Sequence, residues 1–345
     1  MAKFVIHFDF YGEKLRLSSD SEELINRLSK DFSYFKKDEF QSSKYSFEAL
    51  LQEAPKSEKP TGVACKQSLQ SLSFDYGHIR YNDYHGKLLS RFDYSSETAK
   101  LWSTDIEKLH EISYLLILSR VGKSLDLRGL NKVHAMSFTK GETSLIGMMP
   151  MKGGKSTLLA NLLNDQSISI ISDDCPLINF KGNIVPFPLR LGVDELSAQA
   201  GLKDPEKNCY ILERDFYGTK KLISLEGLPH SIGVVKPRQI LFVGKRAPGQ
   251  ESKWTRVSKF SMIWPLVINM VIGLGLPMVM EYFWENGFLD FMRKAKIAIL
   301  RVISAMALLI KSECYEFQMS DKPQENAKFL PVSYTHLTLP TTPYV

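Results

Sequence analysis

The sequence predicts a mixed α/β (α+β) protein in which a small N-terminal α+β lobe leads into a β-rich core built around a phosphate-binding loop. Three observations carry this. Residues 1 to about 105 combine short alternating runs with one polar helical stretch, and residues 130 to 259 are dominated by strand-like runs. Between two of those runs stands Gly153-Gly154-Lys155-Ser156-Thr157, followed by strong helix formers. From Phe260 the charge disappears and the pattern turns helical. The chain has 345 residues, 44% hydrophobic and 24% charged, which is ordinary for a globular protein with a real core. The organisation expected is an N-terminal lobe (1–125), a catalytic core (126–259), a helical part packed on the core (260–330) and a non-native tail (331–345).

In the lobe, "KFVIHFDF", "SLSFDYGHIRYN" and "GKLLSRFDYS" read as strands, "SEELINRLSKDFSYF" as a helix and "EAPKSEKPTG" as a loop. "STDIEKLHEISYLLILSRVGKSL" has a Ser or Thr cap, acids in its first turn and helical apolar spacing. Its His110 reads as a packed or surface histidine rather than a ligand. "KVHAMSFTKGETSLIGMM" is a β-hairpin turning at "TKGET", and its second strand feeds the loop. "NIVPFPLRLGV", "KLISL", "QILFVGKR" and "WTRVSKF" are further strand candidates. Phe260 to Met280 is 21 residues without a charge, long enough to span a bilayer, but Pro265, Pro277, Gly273, Gly275 and Asn269 divide it into pieces of buried-helix length. "LDFMRKAKIAILRVISAMALLIK" is a helix that covers the core or offers a membrane or substrate face. "PVSYTHLTLPTT" resembles a translated sequencing adapter and is set aside.

A phosphate-binding loop works because consecutive backbone N–H groups curl around an anion at a helix N-terminus. The lysine reaches the terminal phosphates and the next hydroxyl binds Mg²⁺. Here Met151, Lys152, Gly153, Gly154, Lys155, Ser156 and Thr157 form the nucleotide-binding stretch. Met149 stands where such a loop opens with glycine. If that position requires positive φ, a side chain there costs about 1–2 kcal/mol. Gly147 and Gly153 are the residues that could relocate the turn. "SISIISDD" then ends a strand at Asp173 and Asp174, with Asp173 eighteen residues after Lys155. Paired carboxylates beside such a loop can divide two jobs, one holding Mg²⁺ and the other accepting a proton from an attacking hydroxyl.

"VHAMSF", "GMMPMKGGKSTLLANLL", "ISIISDDCPLI" and "VPFPLRL" together resemble the HPr kinase/phosphorylase-related P-loop kinases, themselves related to PEP carboxykinases. The resemblance covers about residues 130 to 192. It implies mixed sheets with flanking helices, the HPr-kinase-like core, and ATP-dependent, Mg²⁺-assisted phosphoryl transfer. It further implies that Lys155 neutralises phosphate charge, Ser156 binds Mg²⁺, Asp173 and Asp174 are metal and base carboxylates, His134 is the histidine near the active site, and Arg190 contacts phosphate or substrate. "LGVDELSAQAGLKDPEK" does not match the glycine-rich signature of the bifunctional HPr enzymes, so HPr itself is not the expected acceptor.

Net charge is +6, without a dense Lys/Arg block, so a nucleic-acid groove is not expected. The four cysteines are scattered and read as reduced thiols of a cytoplasmic protein. The expected function is a serine kinase acting on a protein or peptide hydroxyl, with no membrane partner and homo-oligomerisation left open. A nucleotide-binding regulatory pseudokinase and a membrane-associated P-loop protein are the alternatives.

Overall fold

Alternation in the N-terminal runs builds a sheet with one buried face. The computed structural model describes residues 3–150, 153–162, 165, 167–193, 209–212, 220–224, 235–285, 287–322 and 324–327. The strands β1 (Phe4–Phe10), β2 (Glu13–Ser19), β3 (Lys36–Lys37), β4 (Tyr45–Leu50), β5 (Lys66–Gln67), β6 (Leu72–Tyr76), β7 (Ile79–Asp83), β8 (Leu89–Asp93) and β9 (Thr98–Trp102) form a nine-stranded sheet. Its order is β3-β1-β2-β4-β9-β8-β7-β6-β5. In β1, Ile6, Phe8 and Phe10 are buried while Val5, His7 and Asp9 point the other way. Helix α1 (Glu22–Asp31) starts where Ser21 Oγ accepts the Leu24 amide.

Helix α2 (Ile106–Leu127) is the pivot of the molecule, and residues on nearly all its sides are buried. Its cap is Asp105, not the preceding Ser103 or Thr104; the carboxylate accepts the amides of Glu107 and Lys108. Ser103 Oγ instead accepts the Asp105 amide at 3.0 Å. Buried charges on α2 find partners in the C-terminal segment: Asp126 with Arg301 at 2.6 Å and Lys123 with Asp290 at 2.6 Å. Removing one partner of a pair this buried would leave an uncompensated charge, which is strongly destabilising.

The core sheet has six strands in the order β13-β11-β12-β19-β21-β20. These are β11 (Met136–Lys140), β12 (Thr143–Met148), β13 (Ile168–Ser172), β19 (Arg238–Arg246), β20 (Lys253–Arg256) and β21 (Glu313–Met319). β11 and β12 form the predicted hairpin, closing at Lys140–Thr143. β12 then runs parallel to β19, and β19 parallel to β21. The C-terminal part, expected as helical, therefore also supplies a strand to this sheet. Two three-stranded sheets complete the strands: β10 (Leu130–Lys132), β14 (Leu177–Asn179) and β15 (Ile184–Val185) in one, and β16 (Leu191–Val193), β17 (Cys209–Leu212) and β18 (Lys220–Ile223) in the other.

The uncharged run is not one helix. It forms α4 (Phe260–Leu266), a π-helical turn (Val267–Ile272) and, after Gly273 and Gly275 at φ 75° and 87°, the short α5 (Met280–Phe283). α6 (Phe288–Lys311) follows. Among the described residues no helix is long and apolar enough to cross a membrane. Met151, Lys152, residues 194–207 of "LGVDELSAQAGLKDPEK" and the adapter-like tail lie outside the described residues.

Candidate functional site

The loop is shaped by glycine where backbone atoms crowd. Gly153 N–H donates to Pro150 O at 2.8 Å, and a Cβ on Gly153 would lie 2.6 Å from that oxygen. Gly154 has φ +92°, and its carbonyl accepts the Leu158 amide at 2.8 Å to open α3 (Lys155–Leu162). The amides of Lys155, Ser156 and Thr157 thus precede the helical ladder, where an anion can use them.

Met149 carries none of the expected strain, because its φ is not positive. Its side chain is 2% exposed and packs with Leu158, Leu159 and Phe242 in the core. Gly244 on β19 makes the room; a Cβ there would stand 2.7 Å from Met149 Cε. Gly147 does not relocate the turn either. It sits in β12 against the Phe242 ring, 2.3 Å from where its Cβ would be. Gly154 supplies the positive φ.

His134, Lys155 and Asp174 converge. Lys155 Nζ is 2.5 Å from His134 Nε2 and 3.4 Å from Asp174 Oδ1, and His134 Nε2 is 3.5 Å from the same carboxylate oxygen. His134 Nδ1 lies 2.8 Å from Leu274 O. A carbonyl only accepts, so Nδ1 carries the hydrogen and Nε2 turns its lone pair to the lysine. The His134 amide donates to Asn269 O at 2.8 Å, and a Cβ on Gly275 would overlap the imidazole at 2.3 Å. The π-helical turn and the bend after it therefore clamp the histidine.

The acidic pair sits on a tight turn at the end of β13. Ser172 Oγ donates to Phe187 O at 2.9 Å and accepts the Cys175 amide at 3.2 Å. Ala135 N–H reaches Asp174 O at 3.3 Å, tying the turn to the His134 segment. Asp173 is buried and accepts from Ser156 Oγ at 3.0 Å through Oδ2. The Asp174 side chain is 40% exposed and can meet a ligand. Burial pushes the adjacent Cys175 thiol well above its ordinary range, which makes it a poor nucleophile.

Ser156 and Asp173 are hard oxygen donors already placed together, which suits Mg²⁺. Among the described residues there is no cluster of three His, Cys, Asp or Glu side chains that could hold a metal. An ion here would complete its shell with water and phosphate oxygens, as Mg²⁺ commonly does.

Arg190 joins a different cluster. Its guanidinium is 3.0 Å from Asp31 Oδ2 and 3.8 Å from the Tyr114 ring centroid. Asp31 also accepts from Tyr210 and lies 2.7 Å from His110 Nε2. Arg246 is the residue that sequence reasoning missed. A Cβ on Gly154 would stand 3.4 Å from Arg246 Nη2, so this exposed guanidinium lies beside the loop. Its position follows from the parallel β12–β19 pairing, which joins segments far apart in the chain. No family model matches the chain, and no curated protein matches it.

Proposed function

We propose that the chain is an ATP-dependent, HPr-kinase-like phosphotransferase that passes the γ-phosphoryl group to a serine or other hydroxyl of a protein or peptide. The observation that carries this reading is the convergence of Lys155, His134 and Asp174 beside Ser156 and Asp173, at the start of a helix that follows a glycine loop. The Lys155, Ser156 and Thr157 amides and the Lys155 ammonium would hold phosphate oxygens against developing charge. Mg²⁺, bound by Ser156 and Asp173, would neutralise the phosphates. Asp174, the accessible carboxylate, would take the proton of the attacking hydroxyl. His134 would aim Lys155.

Isothermal titration with ATP and Mg²⁺, run beside a γ-phosphate transfer assay on serine-containing peptides, tests the reading. Binding that disappears in Lys155→Ala together with transfer supports it; absence of binding sinks it. One observation favours a second reading, a nucleotide-sensing regulator without turnover. The Lys155 ammonium is already engaged by His134 and Asp174. Binding without transfer selects that alternative.

A further inference from the structure

Helix α6 is apolar on both sides. Ile297, Ala305 and Leu308 face the core with the paired Arg301. The opposite side carries Phe288, Met292, Ile299, Ile303, Met306 and Ile310, all exposed, with Phe288 at 74% and Ile310 at 70%. Their spacing follows the helical repeat over the whole length of α6, so they form one continuous outward stripe. The neighbouring α4, the π-helical turn and the bend after it also expose Phe260, Trp264, Ile272 and Leu274, between 62% and 83%. Arg301 Nη1 fixes that junction by donating to Val271 O at 3.3 Å. An unbroken apolar stripe along α6, with further exposed apolar residues on its neighbours, marks a docking site rather than ordinary scattered exposure.

Charge decides the occupant. Lys259, Arg293, Lys296 and Lys311 are exposed along or at the ends of this surface. The carboxylates between residues 257 and 311 all have partners, and Glu285 also pairs with the exposed Arg293 at 3.3 Å. Asp290 is held by Lys123 and Lys294, Glu285 by Lys123 and Arg120, and Glu281 accepts from Ser71. A second copy docking through this same face would bring cations to cations, with the carboxylates of the face already paired. A surface that is apolar in its middle and cationic at its margins is matched by a bilayer interface with acidic headgroups.

We infer that α4, the π-helical turn and α6 form a peripheral docking face for an anionic lipid surface, with the apolar stripe entering the interface and the cations meeting headgroups. This is surface attachment, not a span, and it does not depend on the phosphotransferase reading. The carbonyl of Leu274, an exposed residue of this face, also holds His134 Nδ1, so the docking face adjoins the candidate site.

Co-sedimentation of the full chain with vesicles tests it. The chain is expected to bind mixed phosphatidylcholine–phosphatidylglycerol vesicles, and to bind pure phosphatidylcholine vesicles about 10-fold or more less tightly. Lys296→Glu should weaken binding to the mixed vesicles about 5-fold or more. Met292→Ser with Ile299→Ser and Ile303→Ser should weaken it on the order of 100-fold. Thermal melting of these surface variants, unchanged or raised, shows that the fold is intact. No sedimentation with mixed vesicles overturns the inference, as does equal binding to both compositions. A dimer by light scattering that the triple variant abolishes, without vesicle binding, assigns the face to self-association and also overturns it.

Discussion

The Lys155 ammonium sits 2.5 Å from His134 Nε2, and the imidazole is fixed from behind by the Leu274 carbonyl at 2.8 Å. A loop, a short segment before a hairpin and a C-terminal turn therefore meet at one lysine. Removing the lysine and removing its orienting histidine should have different consequences. Lys155→Ala is expected to lower γ-phosphate transfer by about 10²–10³-fold or more and to weaken ATP binding in titration. His134→Ala should cost less in binding than in turnover, because the ammonium remains but is no longer aimed. Equal losses in both variants would assign His134 a structural role only.

Asp173 and Asp174 are adjacent in sequence but differently placed, one buried on Ser156 and the other half-exposed beside Lys155. Asp174→Asn should therefore reduce turnover about 10²–10⁴-fold while sparing nucleotide binding. Asp173→Asn should instead shift the Mg²⁺ concentration needed for binding to higher values. Turnover equal to the unsubstituted chain in Asp174→Asn rules out a base role for that carboxylate.

Arg246 stands at the end of β19 with its guanidinium beside Gly154, within reach of whatever anion the loop holds. Arg246→Ala is expected to lower transfer about 10²-fold, with a smaller change in ATP affinity. Arg246→Lys should recover little of the loss, since an ammonium lacks the planar fork of donors. Steady-state measurement of kcat and KM on both variants separates the two effects.

These three sets of residues were not equally legible in the sequence. Lys155, Ser156, Asp173 and Asp174 announce themselves through local pattern, a glycine loop between a strand and a helix and a strand ending in acids. The β11–β12 hairpin, α1, α2 and α6 were legible for the same reason, since their periodicity is local. Arg246 and β21 were not, because their positions depend on parallel pairing between segments far apart in the chain. Arg190 shows another long-range effect. The resemblance implied a phosphate or substrate contact for it, and its guanidinium pairs with Asp31 from the N-terminal lobe, a partner no local pattern shows. The Asp105 cap was displaced from Ser or Thr by competition between neighbouring capping residues.

Met149 makes a sharper case, because restoring the motif should harm the protein. Met149→Gly recreates the glycine at the head of the loop but empties a side-chain site that is 2% exposed. Large-to-small changes at such sites typically cost about 2–5 kcal/mol. The variant should show a lower urea midpoint and melting temperature, with no gain in ATP affinity. A gain in affinity at unchanged stability would mean that the side chain obstructs the loop rather than supporting it.

The buried His110–Asp31 pair predicts an acid-sensitive fold. Burial lowers the His110 pKa below its ordinary 6.5, and the nearby Asp31 carboxylate opposes this with the smaller effect. Hydrogen bonding points the same way. His110 Nδ1 is buried with no hydrogen-bond partner, so protonation would create a buried N–H with no acceptor. The folded state therefore favours neutral imidazole, while the unfolded chain binds a proton near the ordinary value. The His110 contribution is complete above that value and is lost as pH falls from it toward the lower folded value, because unfolding takes up a proton in that window. One such group changes stability by at most about 1.4 kcal/mol per pH unit. Urea midpoints measured from pH 7.5 to 5 should fall with acidification, and the His110→Gln variant should show a shallower slope. An unchanged slope in that variant would place the acid sensitivity in other groups.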